Sequence, residues 1–254
     1  MDRNKSAYKL KDFGPLYIIN LDEQPERWEW MEEQLKFWQI TEYERISAFD
    51  GRDDDLSQIL VGRYPNAVSS GEIGCVTSHL KAIKHWYETT DTDYGIFMED
   101  DCDFVSVGCW PFSWREFMSR VPYDWDCLQV AVINPRKLIA NIHPRYIDDY
   151  STACFVVNRR YAEKLLYFHC RDDKFKLDNG VRPRAVADDL IYNAGKTYAI
   201  PLFLYKLELG STIHPEHIDV FHKTSREGLD HWWHNQASDM PIDKFFEYDT
   251  HELN

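Results

Sequence analysis

The sequence predicts an α/β fold, a central sheet flanked by helices, with its chemistry at the carboxyl ends of the strands. Three observations lead there. Leu16 to Asn20 (Leu-Tyr-Ile-Ile-Asn) is a short apolar run, a polar turn follows at Leu21-Asp22, and Arg27 to Trp38 carries helical spacing through Trp30, Met31, Leu35 and Trp38. With Pro25 where a helix begins, this is the strand, turn and helix that open a βαβ unit. Strand-like and helix-like segments keep alternating down the chain. Finally, the stretch Gly95 to Val105 runs an apolar strand (Ile96, Phe97, Met98) straight into Glu99, Asp100, Asp101 and Asp103.

That last stretch organises the rest. Unpaired carboxylates are too costly to keep ionised in a low-dielectric interior. Four of them closing a core strand therefore form either a solvated turn or the ligands of a cation. Hard oxygen ligands suit Mg2+ or Mn2+, which commonly share their coordination with substrate phosphates. The Asp101-Cys102-Asp103 spacing makes Asp101 and Asp103 the candidate metal ligands. Ligands of open α/β sheets sit beyond the carboxyl ends of the strands. This places Asn20, Asp22 and Arg27 for a ligand as well, although Arg27 also reads as a solvated charge at a helix start.

Tyr43 to Phe49 predicts a second strand, closing in Ala48-Phe49-Asp50-Gly51, where Asp-Gly turn chemistry accounts for Asp50 without a ligand. Asp53-Asp54-Asp55 and the polar residues up to Pro65 read as a solvated loop. Ser69 or Ser70 can cap a helix that has Glu72 in its first turn and carries Val76, Leu80 and Ile83 toward Trp86. Ser78 and His79 lie within it, and a His on a helix is commonly a structural residue. Trp110 to Val121 predicts a helix, Trp125 to Ile133 and Ala153 to Asn158 strands, and Arg160 to Phe168 an amphipathic helix with Leu165 and Leu166 facing inward. Arg171 to Arg184 reads as a loop or flap. In Ala187-Asp188-Asp189-Leu190 two acids stand at a helix start, where the helix dipole favours them. Thr197 to Leu204 is the next strand, and the weakly periodic Leu209 to Arg226 holds His214, His217, Asp219 and His222.

Composition narrows the function. An apolar content of 44% over 254 residues supports one domain with a real core and excludes wholesale disorder. The formal charge of −14 argues against a nucleic-acid surface. An anionic phosphate would have to be held locally, by a metal or a helix N-terminus. Aromatics at 15% can line a sugar or nucleobase site, and can equally build a core. The six Cys form no Cys-x-x-Cys pair, which argues against a zinc cluster, and Cys75, Cys127 and Cys154 read as small buried hydrophobes. The N-terminus lacks the apolar stretch of a signal peptide, and no apolar run reaches membrane-spanning length. A soluble, cytoplasmic protein without a transmembrane segment is expected.

Four segments, taken in order, resemble glycosyltransferase family 25, which includes lipopolysaccharide and procollagen galactosyltransferases. They are Tyr17-Ile18-Ile19-Asn20-Leu21-Asp22 with Arg27; Ala48-Phe49-Asp50-Gly51; Gly71-Glu72-Ile73-Gly74-Cys75 with Ser78-His79; and Met98-Glu99-Asp100-Asp101. Downstream, Phe155-Val156-Val157-Asn158, Ala187-Asp188-Asp189-Leu190 and Gly210-Ser211-Thr212-Ile213 also look like family landmarks. The resemblance implies a single domain of GT-A type with a Rossmann-like mixed sheet, 14–105 binding the nucleotide sugar and 106–254 holding the acceptor half and a C-terminal metal and phosphate loop. It implies a metal-dependent transfer, with inversion, of galactose or glucose from a UDP-sugar to a hydroxyl on a glycan or protein. Asn20, Asp22, Arg27 and Asp50 become donor-site candidates, joined by Glu72, Ser78, His79 and Asp100. Family members often follow Glu-Asp-Asp with an aliphatic residue, whereas this chain adds Asp103, so which acids touch the metal stays open.

Inverting transfer needs a base opposite the leaving group. Asp188 matches the family's second acidic landmark, with Asp189 beside it. Two carboxylates leave Mn2+ or Mg2+ short of ligands, and imidazole suits Mn2+ better. His222 is expected to complete the site, delivered by an emerging strand, with Lys223 beside it to hold phosphate; His214 and His217 are the other candidates. Two further readings stay open: a non-catalytic nucleotide-sugar or carbohydrate-binding module, and a metal-dependent phosphohydrolase. The latter is disfavoured because no Thr or Ser follows at Asp-x-Asp-x-Thr spacing.

Overall fold

Strand alternation builds two cores, one on each face of the central sheet. In β1 (Leu16–Asn20) every residue is buried; Leu16 and Ile18 face one core, Tyr17 and Ile19 the other. β3 (Tyr94–Glu99) repeats the pattern, with Ile96 and Met98 on the first face and Phe97 on the second. Helices α1 (Pro25–Trp38), α4 (Trp114–Arg120) and α7 (Lys223–Asn235) contribute to the first core through Met31, Leu35, Trp114 and Trp233. Helices α3 (Ser70–Thr89), α5 (Arg159–His169) and α6 (Ala187–Tyr192) contribute to the second through Val76, Leu80, Leu165 and Ile191. The computed structural model describes residues 8–62, 68–177, 185–211, 213, 215 and 217–247. The expectations placed on Pro65, on 178–184, and on Thr212 and His214 lie outside these residues.

The main sheet is mixed and eight-stranded, with β2 (Tyr43–Ser47), β1, β3, β7 (Cys154–Asn158), β5 (Cys127–Ala131), β10 (Thr197–Tyr205) and β4 (Cys102–Asp103) in that order; β6 (His143–Pro144) also pairs with β10. β2, β1 and β3 run parallel, whereas β7 is antiparallel to both β3 and β5. Met98 pairs with Cys154, so the residues entering β7 stand beside the residues leaving β3. β10 returns parallel to β5, and its end pairs antiparallel with β4. One sheet edge thereby gathers chain from around residues 20, 50, 100, 150 and 205. No helix among the described residues is long and apolar enough to cross a membrane.

Several boundaries shift from the sequence reading. β2 ends at Ser47, leaving Ala48 to Gly51 as a loop. The Asp-rich loop contains a helical turn, α2 (Leu56–Ile59), whose N-cap Asp55 accepts from Ser57 N at 3.0 Å. The helix predicted over Trp110 to Val121 is shorter: α4 starts only after the Ser113 cap, and a separate 3-10 turn, Val105–Cys109, precedes the predicted range. The segment after Cys170 begins with a small hairpin, β8 (Cys170–Arg171) against β9 (Lys174–Phe175). The weakly periodic late segment forms a π-helical turn, Ile218–His222, leading directly into α7. Trp86, Trp110, Trp114 and Trp233 are fully buried, so much of the aromatic surplus is core.

Two glycines of the matched motifs are explained by backbone packed on backbone. A Cβ on Gly51 would lie 1.7 Å from Ser70 O, and one on Gly74 would lie 2.5 Å from Gly51 N and 2.6 Å from Phe49 O. The Ser78 hydroxyl locks the same contact, accepting from Phe49 N at 2.8 Å and donating to Gly74 O at 2.6 Å. Gly74→Ala should therefore cost roughly 1–3 kcal/mol, the range for overpacking a tight core. Gly228→Ala, with nothing within 4 Å of the added Cβ, should stabilise α7 by up to about 1 kcal/mol. Urea midpoints of the two variants check both signs.

Candidate functional site

The acids that close β3 have different partners. Asp100 is buried and saturated: Asn20 Nδ2 donates to its Oδ2 at 2.6 Å, Arg27 Nε donates to its Oδ1 at 2.7 Å, and Arg27 Nη2 lies 2.5 Å from the same oxygen. Arg27, itself buried, also donates from Nη1 to the carbonyls of Leu209 and Gly210, and Nη2 reaches Asp101 Oδ2 at 3.3 Å. It is thus the central tie of the sheet edge. Asn20 completes it, accepting from Arg45 Nε at 2.8 Å and donating to Gln24 O.

Glu99 Oε1 accepts from His79 Nε2 at 2.9 Å and from Thr152 Oγ1 at 2.7 Å. Burial alone would raise the Glu99 carboxyl, but the His79 and Thr152 bonds hold it below its usual range. The other ring nitrogen of His79 is buried without a hydrogen-bond partner. Asp101 is the opposite case. Burial first, then the charge of Glu99, push it up to about 7 against the pull of Arg27, and its Oδ1 is buried with no hydrogen-bond partner.

These residues line two adjoining cavities. The smaller, about 80 Å³, runs between Asn20, Arg27, Asp50, Ser78 and His79. The larger, about 550 Å³, is the size of a small-molecule site. It brings Asp101, Asp188, Asp189 and His222 together, with Glu72 and His217 on its wall. Cys75, Glu99 and Ile213 border both cavities. Asp188 Oδ1 accepts from Ser151 N at 2.6 Å, and burial lifts its carboxyl to about 6. Asp189 lies deeper and accepts from Asn193 Nδ2 at 3.3 Å.

The pairing of Asp101 with Asp103 is not made. Asp103 lies in β4, opposite Leu204, while Asp101 is still in the preceding turn, so strand alternation does not put them on one face. Asp103 accepts instead from Val105 N at 2.9 Å and from Arg226 Nη2 at 3.2 Å. Asp22 turns away to Arg45 and Ser47, at 2.7 and 2.8 Å. Lys223 is exposed at the start of α7 and lines neither cavity. His222 does reach the chamber, on a π-helical turn where a strand was expected, and its carbonyl accepts from Tyr205 Oη at 2.6 Å. Asp50 is held by Arg52, whose Nε donates at 2.7 Å, and Glu72 forms a capping box with Ser69 while facing the chamber.

Two cation fits follow. The buried, unpartnered oxygen of Asp101, in a chamber of carboxylates and imidazoles, has the chemistry of a divalent-cation ligand. Ligand atoms of Cys75, His79 and Glu99 also lie within 4.8 Å of one another. Burial and the neighbouring carboxylates push the Cys75 thiol well up, so this set offers a neutral thiol, a weaker ligand than Asp101.

Sequence reasoning missed Ser151, Thr152 and the part Cys75 plays at the shared wall. Ser151 holds a left-handed backbone, φ 100°, while its N–H reaches Asp188 and its carbonyl accepts from Gln129 Nε2 and Tyr192 Oη. A strained non-glycine residue held from both sides is a mark of functional loops. Its only sequence signal was its place just before a strand.

An acid-lined cleft at the carboxyl ends of parallel strands is where α/β folds bind small molecules. Residues 13–107 match the family model of glycosyltransferase family 25 (LPS biosynthesis protein), and the match supports a glycosyltransferase, whose substrates are a sugar donor and an acceptor. A search of curated proteins finds no match.

The Arg27–Asp100 pair makes a direct test of this geometry. Removing one partner of a buried ion pair strands the other charge, so Arg27→Met should cost roughly 3–5 kcal/mol. Asp22→Asn, which breaks an exposed pair, should cost less than about 1 kcal/mol. Chemical denaturation should separate the two; equal losses would refute the central role of Arg27.

Proposed function

We propose that the chain transfers a hexose, galactose or glucose, from a UDP-sugar to an acceptor hydroxyl, with inversion, in a GT-A type fold. The shared wall of the two cavities carries this reading: Cys75, Glu99 and Ile213 border both the cleft of Asn20, Arg27 and Asp50 and the acidic chamber. A nucleotide along the first cleft would present its sugar to the second.

Asp188 is the base in this reading. It faces the chamber with one oxygen fixed by Ser151 N, and at neutral pH a carboxyl lifted to about 6 is ionised and basic enough to accept a proton. As the acceptor oxygen bonds to the anomeric carbon, its proton passes to Asp188, the bond from that carbon to the diphosphate breaks, and the bonding pair leaves with UDP. Asp101 holds Mn2+ or Mg2+, with His222 as a neighbouring ligand; the ion, when bound, neutralises charge developing on the diphosphate. Asp103 is left to its contact with Arg226.

A screen of nucleotide sugars for Mn2+-dependent release of nucleotide tests the proposal. UDP with Mn2+ should stabilise the protein against heat more than either alone; stabilisation by GDP or CMP without UDP would reverse the donor assignment. Asp101→Asn should remove metal dependence, whereas Asp103→Asn should keep it.

The base has its own signature in pH. At saturating Mn2+, which keeps Asp101 ionised, turnover should fall about tenfold per unit as pH drops below about 6, because protonation removes the Asp188 lone pair that accepts the proton, and stay level above. Asp188→Asn should lower turnover by roughly two to four orders of magnitude and abolish that limb. Its UDP affinity should hold; lost UDP binding would move Asp188 to the donor site.

A further inference from the structure

Three large apolar side chains that the fold leaves exposed gather on the rim of one cavity. Ile147 is 61% exposed, Tyr150 42% and Phe221 37%, and all three line the acidic chamber. Exposed apolar clusters at a cavity mouth mark binding surfaces. Their support is rigid. Tyr150 is locked by a two-way bridge to Ile133, at 2.9 and 3.0 Å, and its carbonyl accepts from Gln129 Nε2 at 2.8 Å. Its hydroxyl donates to Asp148 at 3.2 Å, and Asp148 accepts in turn from Arg136 at 3.0 Å. The ring is therefore held at both ends with a face available. Phe221 is set edge-on to His217, with ring centroids 5.2 Å apart.

Below that rim the chamber is negative. Glu72, Glu99, Asp101, Asp188 and Asp189 line it, and among the described residues no Lys or Arg does. Carboxylates accept hydrogen bonds from hydroxyl groups, whereas an anionic guest would meet like charge in a poorly solvated space. A pyranose ring combines an apolar C–H face with a belt of hydroxyl donors, which matches an aromatic rim above acceptor oxygens.

We propose that Ile147, Tyr150 and Phe221 form the acceptor platform, and that the chamber selects an uncharged sugar ring and rejects acidic ones. This rests on the glycosyl-transfer reading above. Tyr150 and Phe221 bind the ring and set specificity, and the carboxylates beneath exclude charge.

Saturation-transfer NMR on the full chain tests it, with methyl β-galactoside and methyl β-glucoside against the matching galacturonide and glucuronide. The neutral pair should receive saturation and the acidic pair should not. Tyr150→Ala should weaken neutral-sugar binding about tenfold, the upper range for one aromatic contact, and Tyr150→Phe should restore it. Equal binding of the acids, no binding of the neutral pair, or a Tyr150→Ala variant that binds like the parent would each overturn the proposal. A hydroxyl-bearing peptide that binds this rim where neutral sugars do not would overturn it in favour of a polypeptide acceptor. Nucleotide release from UDP-sugars, measured separately, reports on the transfer reading itself. Its absence with intact sugar binding would sink that reading and leave a carbohydrate-binding site.

Discussion

The buried pair of Arg27 and Asp100 is the constraint on which the site depends. Two charges withdrawn from water persist only when geometry and additional hydrogen bonds offset their desolvation. Here Asn20 and the Arg27 contacts do so, Arg27 reaching Asp100, Asp101 and the carbonyls of Leu209 and Gly210. Because Arg27 lies in the first turn of α1, it joins the end of β1, the end of β3 and the chain after β10. With Asp100 neutralised, the neighbouring acids are free for other work. Glu99 is fixed by His79 and Thr152, Asp103 closes on Arg226, and Asp101 keeps one buried oxygen facing no donor.

The chamber beyond that pair is a product of sheet direction. β7 runs antiparallel to β3, so Ser151, Thr152 and Ala153 arrive beside Glu99, and Glu99 N donates to Ala153 O at 2.9 Å. β10 ends next to β4, where Lys206 N donates to Asp101 O at 2.8 Å, and the chain then turns to supply His217 and His222. Asp188 reaches the same space from the first turn of α6, anchored by Ser151. Parallel strands alone would have carried residues 150–153 to the far edge of the sheet.

Much of this was legible in the sequence where local rules suffice. Leu16–Asn20, the helix from Pro25 and a serine-capped helix start at Ser69 or Ser70 were all readable from apolar spacing and cap chemistry. The acidic end of β3 was recognisable because so many carboxylates cannot end a core strand without partners. The assignment of those carboxylates was not readable. Asp103 looked equivalent to Asp101 because spacing of two suggests one face of a strand, yet only Asp103 is in the strand. Arg27 was readable as a ligand-site residue or a solvated helix-start charge but not as a buried tie, because its partners are far along the chain, and His222 looked strand-borne because the π-helical turn lacks the 3.6 period. Ser151 carried no signal beyond its place just before a strand, since its importance arises from an antiparallel pairing and a backbone torsion that no residue type announces.

Charge balance gives the arrangement its chemical direction. The protein carries a formal charge of −14, and five of its carboxylates line this one cavity. Arg27, the buried cation nearest Asp101, is already committed to Asp100 and two carbonyls, and Arg52 at the first cleft is committed to Asp50. A diphosphate entering this space would therefore meet net negative charge unless positive charge arrived with it. Among the acids, Asp101 is where such a charge would be most strongly held, because its orphan oxygen is already desolvated and has no competing donor. A bound cation would convert the site from one that repels a phosphate to one that retains it, while Asp188, anchored by Ser151 N, would keep its negative charge for the acceptor. In the proposed reading, the acidity that calls for a cation beside a diphosphate also makes an uncharged acceptor the compatible partner, so the two proposals share one electrostatic cause.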